Sequence, residues 1–141
     1  MNILVVDDNE SLTKLLQRYL KLKEHECTIA NDGRTALSIL NEKKFDSILL
    51  DLAMPEFSGI DFIKELTKKG KITENKIVVL TASSITPKEE EDILNKGVRG
   101  LLRKPIKLES LMEILANWYF KQNCQSYITL VQRDSSQNDY Q

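Results

Sequence analysis

The sequence predicts an α/β protein in which five parallel strands form one doubly wound sheet, with five helices covering its two faces. Short, continuous runs of Ile, Leu and Val recur along the chain, as is typical of parallel strands that are buried on both faces. Segments with the periodicity of amphipathic helices alternate with these runs. Because each parallel connection is a right-handed crossover, the alternating units place helices on both sides of the sheet.

The first unit is a strand at residues 3–6 that ends in Asp7 and Asp8, followed by a helix. Asp8 and Asn9 are residue types that cap helix N-termini. The helix has apolar residues at the i, i+3, i+4, i+7 and i+8 spacing, which predicts one buried face. The residues expected on that face are Leu12, Leu15, Leu16, Tyr19 and Leu20.

The second unit begins with a short strand, in which Cys27 and Ile29 alternate with polar residues. A turn at residues 31–33 then leads into a second helix. The apolar residues of this helix are Ala36, Leu37 and Leu40.

The third unit contains the apolar run at residues 48–50, which delivers Asp51 where the strand ends. An unpaired polar group inside such a strand would cost several kcal/mol, so we expect Asp51 at the carboxyl edge of the sheet, facing a crevice. Pro55 ends the extended segment, because proline lacks an N–H donor. The next helix opens at Gly59 and ends at the stretch 68–71. Its apolar residues are Ile60, Ile63 and Leu66.

The fourth unit has a strong apolar run that stops at Thr81. Thr86 and Glu89 have the spacing of a capping box, and Pro87 takes the first helical position. The helix is therefore expected from about residue 87 until Gly97 closes it. Its clear core candidates are Ile93 and Leu94. With so few apolar residues, we expect weak packing and local mobility in this helix.

The last unit is a short strand at residues 98–102, followed by Lys104, Pro105 and a helix. The apolar face of this helix comprises Leu108, Leu111, Leu115, Trp118 and Tyr119. Residues 127–131 are compatible with either a short strand or an added turn of helix, and residues 132–141 are polar enough to be disordered. We therefore expect one domain over residues 1–122 and a partly disordered C-terminal extension over residues 123–141.

Composition argues against several classes of function. Twenty basic and 21 acidic residues give a net charge of -1, which provides no electrostatic footprint for nucleic acid or an anionic membrane. No apolar run approaches the roughly 20 residues of a membrane span, and the start of the chain lacks a signal-peptide pattern. Cys27 and Cys124 lack metal-ligand spacing and are interpreted as small apolar residues. We expect a cytoplasmic protein that binds neither DNA nor membranes directly.

The predicted sheet brings several polar strand ends to one crevice. Asp7, Asp8, Asp51 and Thr81 are expected near the switch point, where folds of this class bind ligands. Three carboxylates in one crevice repel each other, and a hard divalent cation with oxygen ligands is the usual resolution. Mg2+ fits this set of oxygen ligands, since it also takes a phosphate oxygen as a ligand. Asp51 is then either a ligand only or also a nucleophile that attacks phosphorus, with Lys104 and Thr81 supplying a cation and a donor.

Four motifs follow four of the predicted strands. They are Asp7 with Asp8, Asp51 in the segment Asp-Leu-Ala-Met-Pro, Thr81 with Ala82, and Lys104 with Pro105. In order and spacing, over residues 1 to about 122, they resemble the receiver domain of two-component response regulators. The resemblance implies a flavodoxin-like sheet with strand order 2-1-3-4-5. It also implies a stand-alone response regulator, not a classical enzyme, that accepts a phosphoryl group on Asp51 from a histidine kinase or phosphotransfer protein and signals through protein–protein interaction.

The resemblance also implies a role for each residue of the site. The implied ligands of Mg2+ are Asp8, Asp51 and the backbone carbonyl of Ala53, with Asp7 acting through water. Lys104 would pair with Asp51 or its phosphate, and the Thr81 hydroxyl would bind a phosphoryl oxygen. The peptide bond between Lys104 and Pro105 would be cis.

Leu101 departs from the family's pattern. Three residues before the lysine, the family often has Tyr or Phe, whose ring turns inward as the threonine moves. Leucine offers no such ring, so we expect the signal to leave Thr81 through its loop and the helix from about residue 87 to 96. The positions that tune phosphate loss in the family hold Ala53 and Ser83, which are neither acidic nor amides.

Three other functions are weighed against this one. An aspartate-nucleophile phosphohydrolase usually has a second acid two residues past the nucleophile, where this chain has Ala53. A nucleotide binder needs a phosphate-cradling loop after the first strand, where Asp7 and Asp8 would repel phosphate. An interaction module with a vestigial pocket is disfavoured because the set of site residues is complete.

Overall fold

Five strands and five helices alternate along the chain in a computed structural model, which describes residues 1–72, 74, 76–82 and 85–120, with side chains up to residue 116. The strands are β1 (Asn2–Val6), β2 (Glu26–Ala30), β3 (Ser47–Asp51), β4 (Ile77–Thr81) and β5 (Gly100–Arg103). The helices are α1 (Glu10–Leu22), α2 (Gly33–Glu42), α3 (Gly59–Lys68), α4 (Pro87–Asn95) and α5 (Leu108–Phe120).

All strand pairs in the described sheet are parallel, and the strand order is β2-β1-β3-β4-β5. The predicted fold class and strand order are therefore confirmed. The chain reverses its direction of winding between β1 and β3, so the crevice at their carboxyl ends is the topological switch point. Asp7 directly follows β1 and Asp51 is the last residue of β3, which places both at this crevice.

The core lies between the sheet and the two helical layers. All five residues of β3 and of β4 are buried, which is the pattern of central strands covered on both faces. The fully buried helical side chains that belong to the same core include Leu16, Leu20, Phe62, Ile63 and Leu111. This burial holds the carboxyl ends of the central strands in fixed positions.

The helix caps agree with the sequence pattern at three sites. Asn9 accepts from the Leu12 amide at 3.1 Å, and Asp32 caps α2. Thr86 accepts from the Glu89 amide, with Pro87 in the first turn. A reciprocal capping box occurs instead at α3, between Ser58 and Asp61. The sequence analysis did not identify this box.

Leu15 contradicts its predicted place on the buried face of α1, since its exposed fraction is 52%. Leu16 and Leu20 define a narrower buried face, to which Thr13 contributes instead. Position 15 precedes Leu16 by about 100° of helical rotation, and this turns its side chain toward solvent.

The last strand also differs from its prediction, since pairing begins at Gly100 rather than Val98. Val98 is buried but lies in the connection, where the amide of Arg99 donates to the carbonyl of Ile77. In α4, Ile93 is buried and Leu94 half-buried, in line with the predicted thin packing. The side chains of Trp118 and Tyr119, and the predictions for residues 123–141, lie outside the described residues. None of the helices in the described part of the chain has the length and apolar character that a membrane crossing requires.

Candidate functional site

Three aspartates meet at the switch point. Asp7 is completely buried, Asp51 is 3% exposed and Asp8 is exposed. One carboxylate oxygen of each lies within 4.8 Å of those of the other two. The clustering expected from the strand ends is therefore present in the structure.

Lys104 places one cation between two of these carboxylates. Its Nζ lies 3.1 Å from Asp7 Oδ2 and 3.3 Å from Asp51 Oδ1. The backbone holds this lysine in place, because its amide donates to the Thr81 carbonyl at 2.7 Å. The peptide bond between Lys104 and Pro105 is cis, which is the geometry the resemblance implies.

The charges of this cluster shift the protonation of its members. Burial, and then the charge of Asp7, raise the pKa of the Asp51 carboxyl above its ordinary value, although Lys104 and the Ala53 amide act in the opposite direction. Burial alone would lower the pKa of the Lys104 ammonium, but its bonds to Asp7 and the charges of Asp51 and Asp7 outweigh burial and raise it. Lys104 therefore stays protonated, and the cluster keeps an excess of negative charge.

The loop after β1 fixes both oxygens of the Asp7 carboxylate. Oδ1 accepts from the Asn9 amide at 2.9 Å, while Oδ2 accepts from Lys104. The Asn31 side-chain amide donates to the Asp7 carbonyl at 3.0 Å. Sequence analysis assigned residue 31 only to a turn. Its capping-type amide side chain, directly after β2, was the available signal for this contact.

The loop after β3 packs closely against the end of that strand. The Ala53 amide donates to Asp51 Oδ1 at 3.3 Å, and the Gly59 amide donates to the Leu52 carbonyl at 3.1 Å. A Cβ atom at Gly59 would lie 2.4 Å from the Asp51 carbonyl oxygen and 2.7 Å from Leu52 Cα. Only glycine fits at this approach, so it sets how closely α3 follows Asp51.

Thr81 and Leu101 lie on the neighbouring strands β4 and β5, where Thr81 pairs with Arg103 and Leu101 lies two positions nearer the strand's start. Thr81 is 4% exposed, and its hydroxyl donates to the Ala82 carbonyl at 3.2 Å. Leu101, also 4% exposed, pairs with Val79 and belongs to the core. Ser83 lies outside the described residues.

The strand-end cluster has a counterpart among known proteins. A sequence profile of the response regulator receiver domain matches residues 3–116. The chain belongs to the response regulator receiver domain family. The family inferred from the four strand-end motifs is thus confirmed. Receiver domains are signalling domains rather than classical enzymes.

Two relatives of this receiver domain are longer proteins. The probable transcriptional regulator ycf29 of Porphyra purpurea is 30% identical over 125 residues, which are 89% of this chain and 59% of that protein. The autoinducer 1 sensor kinase/phosphatase LuxN of Vibrio harveyi is 35% identical over 127 residues, which are 88% of this chain and 14% of that protein. The chain therefore spans less than two thirds of either relative.

A solved structure resembles the receiver domain over most of its length. The response regulator TrrA from Thermotoga maritima, solved in complex with Mg2+-BeF, is 28% identical with a TM-score of 0.69. The match covers 82% of this chain and 96% of that one.

Proposed function

We propose that this receiver domain accepts a phosphoryl group on Asp51, in a Mg2+-dependent transfer from the phosphohistidine of a sensor histidine kinase or a phosphotransfer protein. The observation that carries the proposal is the environment of Asp51. Its Oδ1 lies 3.3 Å from the Lys104 ammonium, and the carboxylates of Asp7 and Asp8 lie within 4.8 Å. This environment suits transfer of a phosphoryl group to the Asp51 carboxylate, because a cation and two further carboxylates lie close to it.

Asp51 is suited to act as the nucleophile. Both hydrogen bonds that its carboxylate accepts among the described residues go to Oδ1, which leaves Oδ2 for attack. Burial raises its pKa, so the carboxylate is a stronger base than an exposed one. In the transfer, an Asp51 oxygen bonds to phosphorus as the P–N bond breaks. The electron pair of that bond stays on the imidazole nitrogen of the donor histidine, which takes up a proton from solvent.

Lys104 and Thr81 would stabilise the transferred group. Lys104 already spans Asp7 and Asp51, so its ammonium can pair with a phosphoryl oxygen on Asp51 while it keeps its bond to Asp7. The Thr81 hydroxyl bonds the Ala82 carbonyl in this structure, and rotation of its side chain would let it donate to a phosphoryl oxygen instead.

The donor set of the cluster fits Mg2+, which prefers carboxylate and carbonyl oxygens. In the proposal, the direct ligands are Asp8, Asp51 and the Ala53 carbonyl, with Asp7 acting through water. The different role of Asp7 has structural support, because both of its carboxylate oxygens already accept hydrogen bonds. Asp8 is exposed, and its carboxylate accepts no hydrogen bond from the described residues. When bound, the cation would offset the charge of the phosphoryl oxygens.

Output is proposed to be a protein–protein interaction, without direct DNA binding. The near balance of 20 basic and 21 acidic residues supports this, since DNA-binding surfaces carry a strong basic excess. The relation to LuxN, a sensor kinase/phosphatase, supports a kinase as the phosphoryl source.

Mass spectrometry after incubation with acetyl phosphate and Mg2+ tests the proposal. We expect one added phosphoryl group, labile in base and mapped to Asp51, and no such group in Asp51→Asn. The matched control is Asp92→Asn, which removes an exposed carboxylate on α4 and should label normally. Equal labelling of Asp51→Asn would disprove the assignment.

A further inference from the structure

A groove of about 330 Å³ lies between the C-terminal ends of α2 and α3, at the end of the sheet where the strands begin. Its floor is apolar and consists of Leu37, Leu40, Phe45 and Leu66. Phe45 and Leu66 are only 7% and 2% exposed, so they anchor the floor in the core. Leu37 and Leu40 are half-buried, and they leave apolar surface that a partner could cover.

The rim of the groove is basic. Lys43, Lys44, Lys69 and Lys71 line it, and Glu74 is the single acidic residue among the lining. The groove is thus locally positive in a chain whose net charge is -1. Among the described residues, neither Lys44 nor Lys69 takes part in an ion pair.

Helix dipoles explain only part of this rim. Lys43 and Lys69 are the C-cap residues of α2 and α3, where a cation is favoured by roughly 0.3–1 kcal/mol. Lys44 and Lys71 lie one and two residues beyond these caps. Neither dipole accounts for the apolar surface between the lysines.

We propose that this groove docks an acidic amphipathic helical segment of a partner protein. An apolar floor accepts the side chains that such a helix presents at i and i+3 or i+4, and a lysine rim pairs with its carboxylates. Charge complementarity selects an acidic segment, because a basic one would place like charges against the rim. An uncharged helix would leave Lys44 and Lys69 partly desolvated and without an ion pair.

The groove is separate from the phosphoryl-acceptor site. It lies near the start of β3, whereas Asp51 ends that strand, and Ser47 and Asp51 are about 13 Å apart at 3.3 Å per residue. Docking therefore does not depend on phosphate chemistry at Asp51. Acetyl phosphate labelling, measured on the same variants, keeps the two proposals distinguishable.

The test is a titration of the full chain with a fluorescein-labelled amphipathic peptide of about 15 residues, with leucines on one face and glutamates on the other. We expect saturable binding that weakens with salt, and amide NMR shifts concentrated at residues 37–45 and 66–74. Lys44→Glu with Lys69→Glu should weaken binding about tenfold or more, roughly 1.4 kcal/mol. Lys44→Ala with Lys69→Ala should weaken it less.

The matched control is Lys14→Glu with Lys21→Glu, which makes the same change of charge at exposed positions on α1. This variant should bind the peptide normally. Equal losses in both charge-reversed variants would show a nonspecific attraction and overturn the proposal. So would undiminished binding of a peptide with its leucines changed to alanine. Displacement of residues 121–141 by the peptide would identify the chain's own C-terminal segment as the occupant, which also contradicts a partner helix.

Discussion

The three aspartates of the site differ because each has a different set of partners. Asp7 is buried with both carboxylate oxygens hydrogen-bonded, Asp51 is buried with Lys104 and the Ala53 amide on one oxygen, and Asp8 is exposed. Residue type could not distinguish them, since all three are aspartates at strand ends. The amides of Asn9 and Ala53 are local partners, whereas Lys104 is brought to Asp7 and Asp51 only by the folded chain.

The first prediction ranks two of these aspartates as metal ligands. Asp8→Ala should lose more Mg2+ affinity than Asp7→Ala, because the Asp7 carboxylate is already engaged by Asn9 and Lys104. We expect a loss of about tenfold or more for Asp8→Ala, as for removal of a direct ligand. Calorimetric titration with Mg2+ measures both variants, and a larger loss for Asp7→Ala would reverse the assignment.

The second prediction concerns Asp32, the N-cap of α2. Its carboxylate accepts from the Thr35 amide at 2.7 Å and from the Thr35 hydroxyl at 2.8 Å, and these bonds lower its pKa. Asp32→Ala should cost about 1 kcal/mol of unfolding free energy at neutral pH. Because the folded-state pKa is lowered, the ionised cap stabilises the fold fully above the unfolded pKa, and this contribution is lost as pH falls through the folded pKa.

Urea unfolding at neutral and at strongly acid pH checks this cap. The difference between Asp32→Ala and the unaltered chain should shrink in acid, whereas Asp32→Asn should stay near the unaltered stability at neutral pH, since asparagine caps comparably. A cost of Asp32→Ala that does not depend on pH would mean that the charge of the carboxylate adds nothing to the cap.

At the scale of helices and strands, apolar patterning predicted which elements exist. It predicted less well where each element ends and which of its faces is buried. The order of elements and the strand order follow from alternation and crossover handedness. Leu15 was misplaced because the spacing rule admits a broader face than the core accepts. The Ser58 capping box and the tight fit at Gly59 went unnoticed, because both depend on how the loop after Asp51 folds back.

The third prediction tests that fit. Gly59→Ala should destabilise the fold by about 1–3 kcal/mol and slow the phosphorylation of Asp51, because the new methyl group meets the backbone of Asp51 and Leu52. Gly33→Ala is the matched comparison. Its nearest obstacle is the Phe57 ring, at 2.5 Å, and a side chain can turn aside. Unfolding and acetyl phosphate labelling of both variants should show the larger effects for Gly59→Ala.

The fourth prediction concerns the route by which phosphorylation is sensed. Movement of the Thr81 hydroxyl toward phosphate would break its bond to the Ala82 carbonyl and free the loop that leads to α4. Ile93 is the one buried side chain in the described part of α4, so this helix can respond at low energetic cost. Amide exchange of residues 82–96 should therefore change on phosphorylation.

Leu101 provides the control for this route. It is part of the core, so Leu101→Ala should cost about 2–5 kcal/mol of stability yet leave the exchange response of residues 82–96 in place. Loss of that response in a folded, phosphorylated Leu101→Ala variant would make Leu101 the switch residue and refute the proposed route.

For the molecule as a whole, the ionised form of Asp51 lowers stability. Burial and the neighbouring charge of Asp7 raise the pKa of Asp51, so the fold is destabilised at pH values where Asp51 is ionised, and this cost disappears as pH falls through the raised pKa. Lys104 offsets part of the repulsion by its contacts with both carboxylates.

The fifth prediction follows from that cost. Asp51→Asn should raise the urea midpoint in EDTA at neutral pH, because it removes a buried charge while Lys104 keeps its pairing with Asp7. The gain should shrink as pH falls and the aspartate of the unaltered chain becomes protonated. Asp92→Asn, at an exposed position, should leave the midpoint nearly unchanged. A lower midpoint for Asp51→Asn would contradict this account.

Lys104 bonds to Asp7, which lies 97 positions earlier in the sequence, and to Asp51, which lies 53 positions earlier. Ribosomes release β1 and β3, with their aspartates, well before the segment that carries the lysine. A nascent chain that stops before residue 104 therefore holds both carboxylates without the cation that Lys104 supplies. We expect such a chain to be unable to accept a phosphoryl group until the segment after β5 has been made.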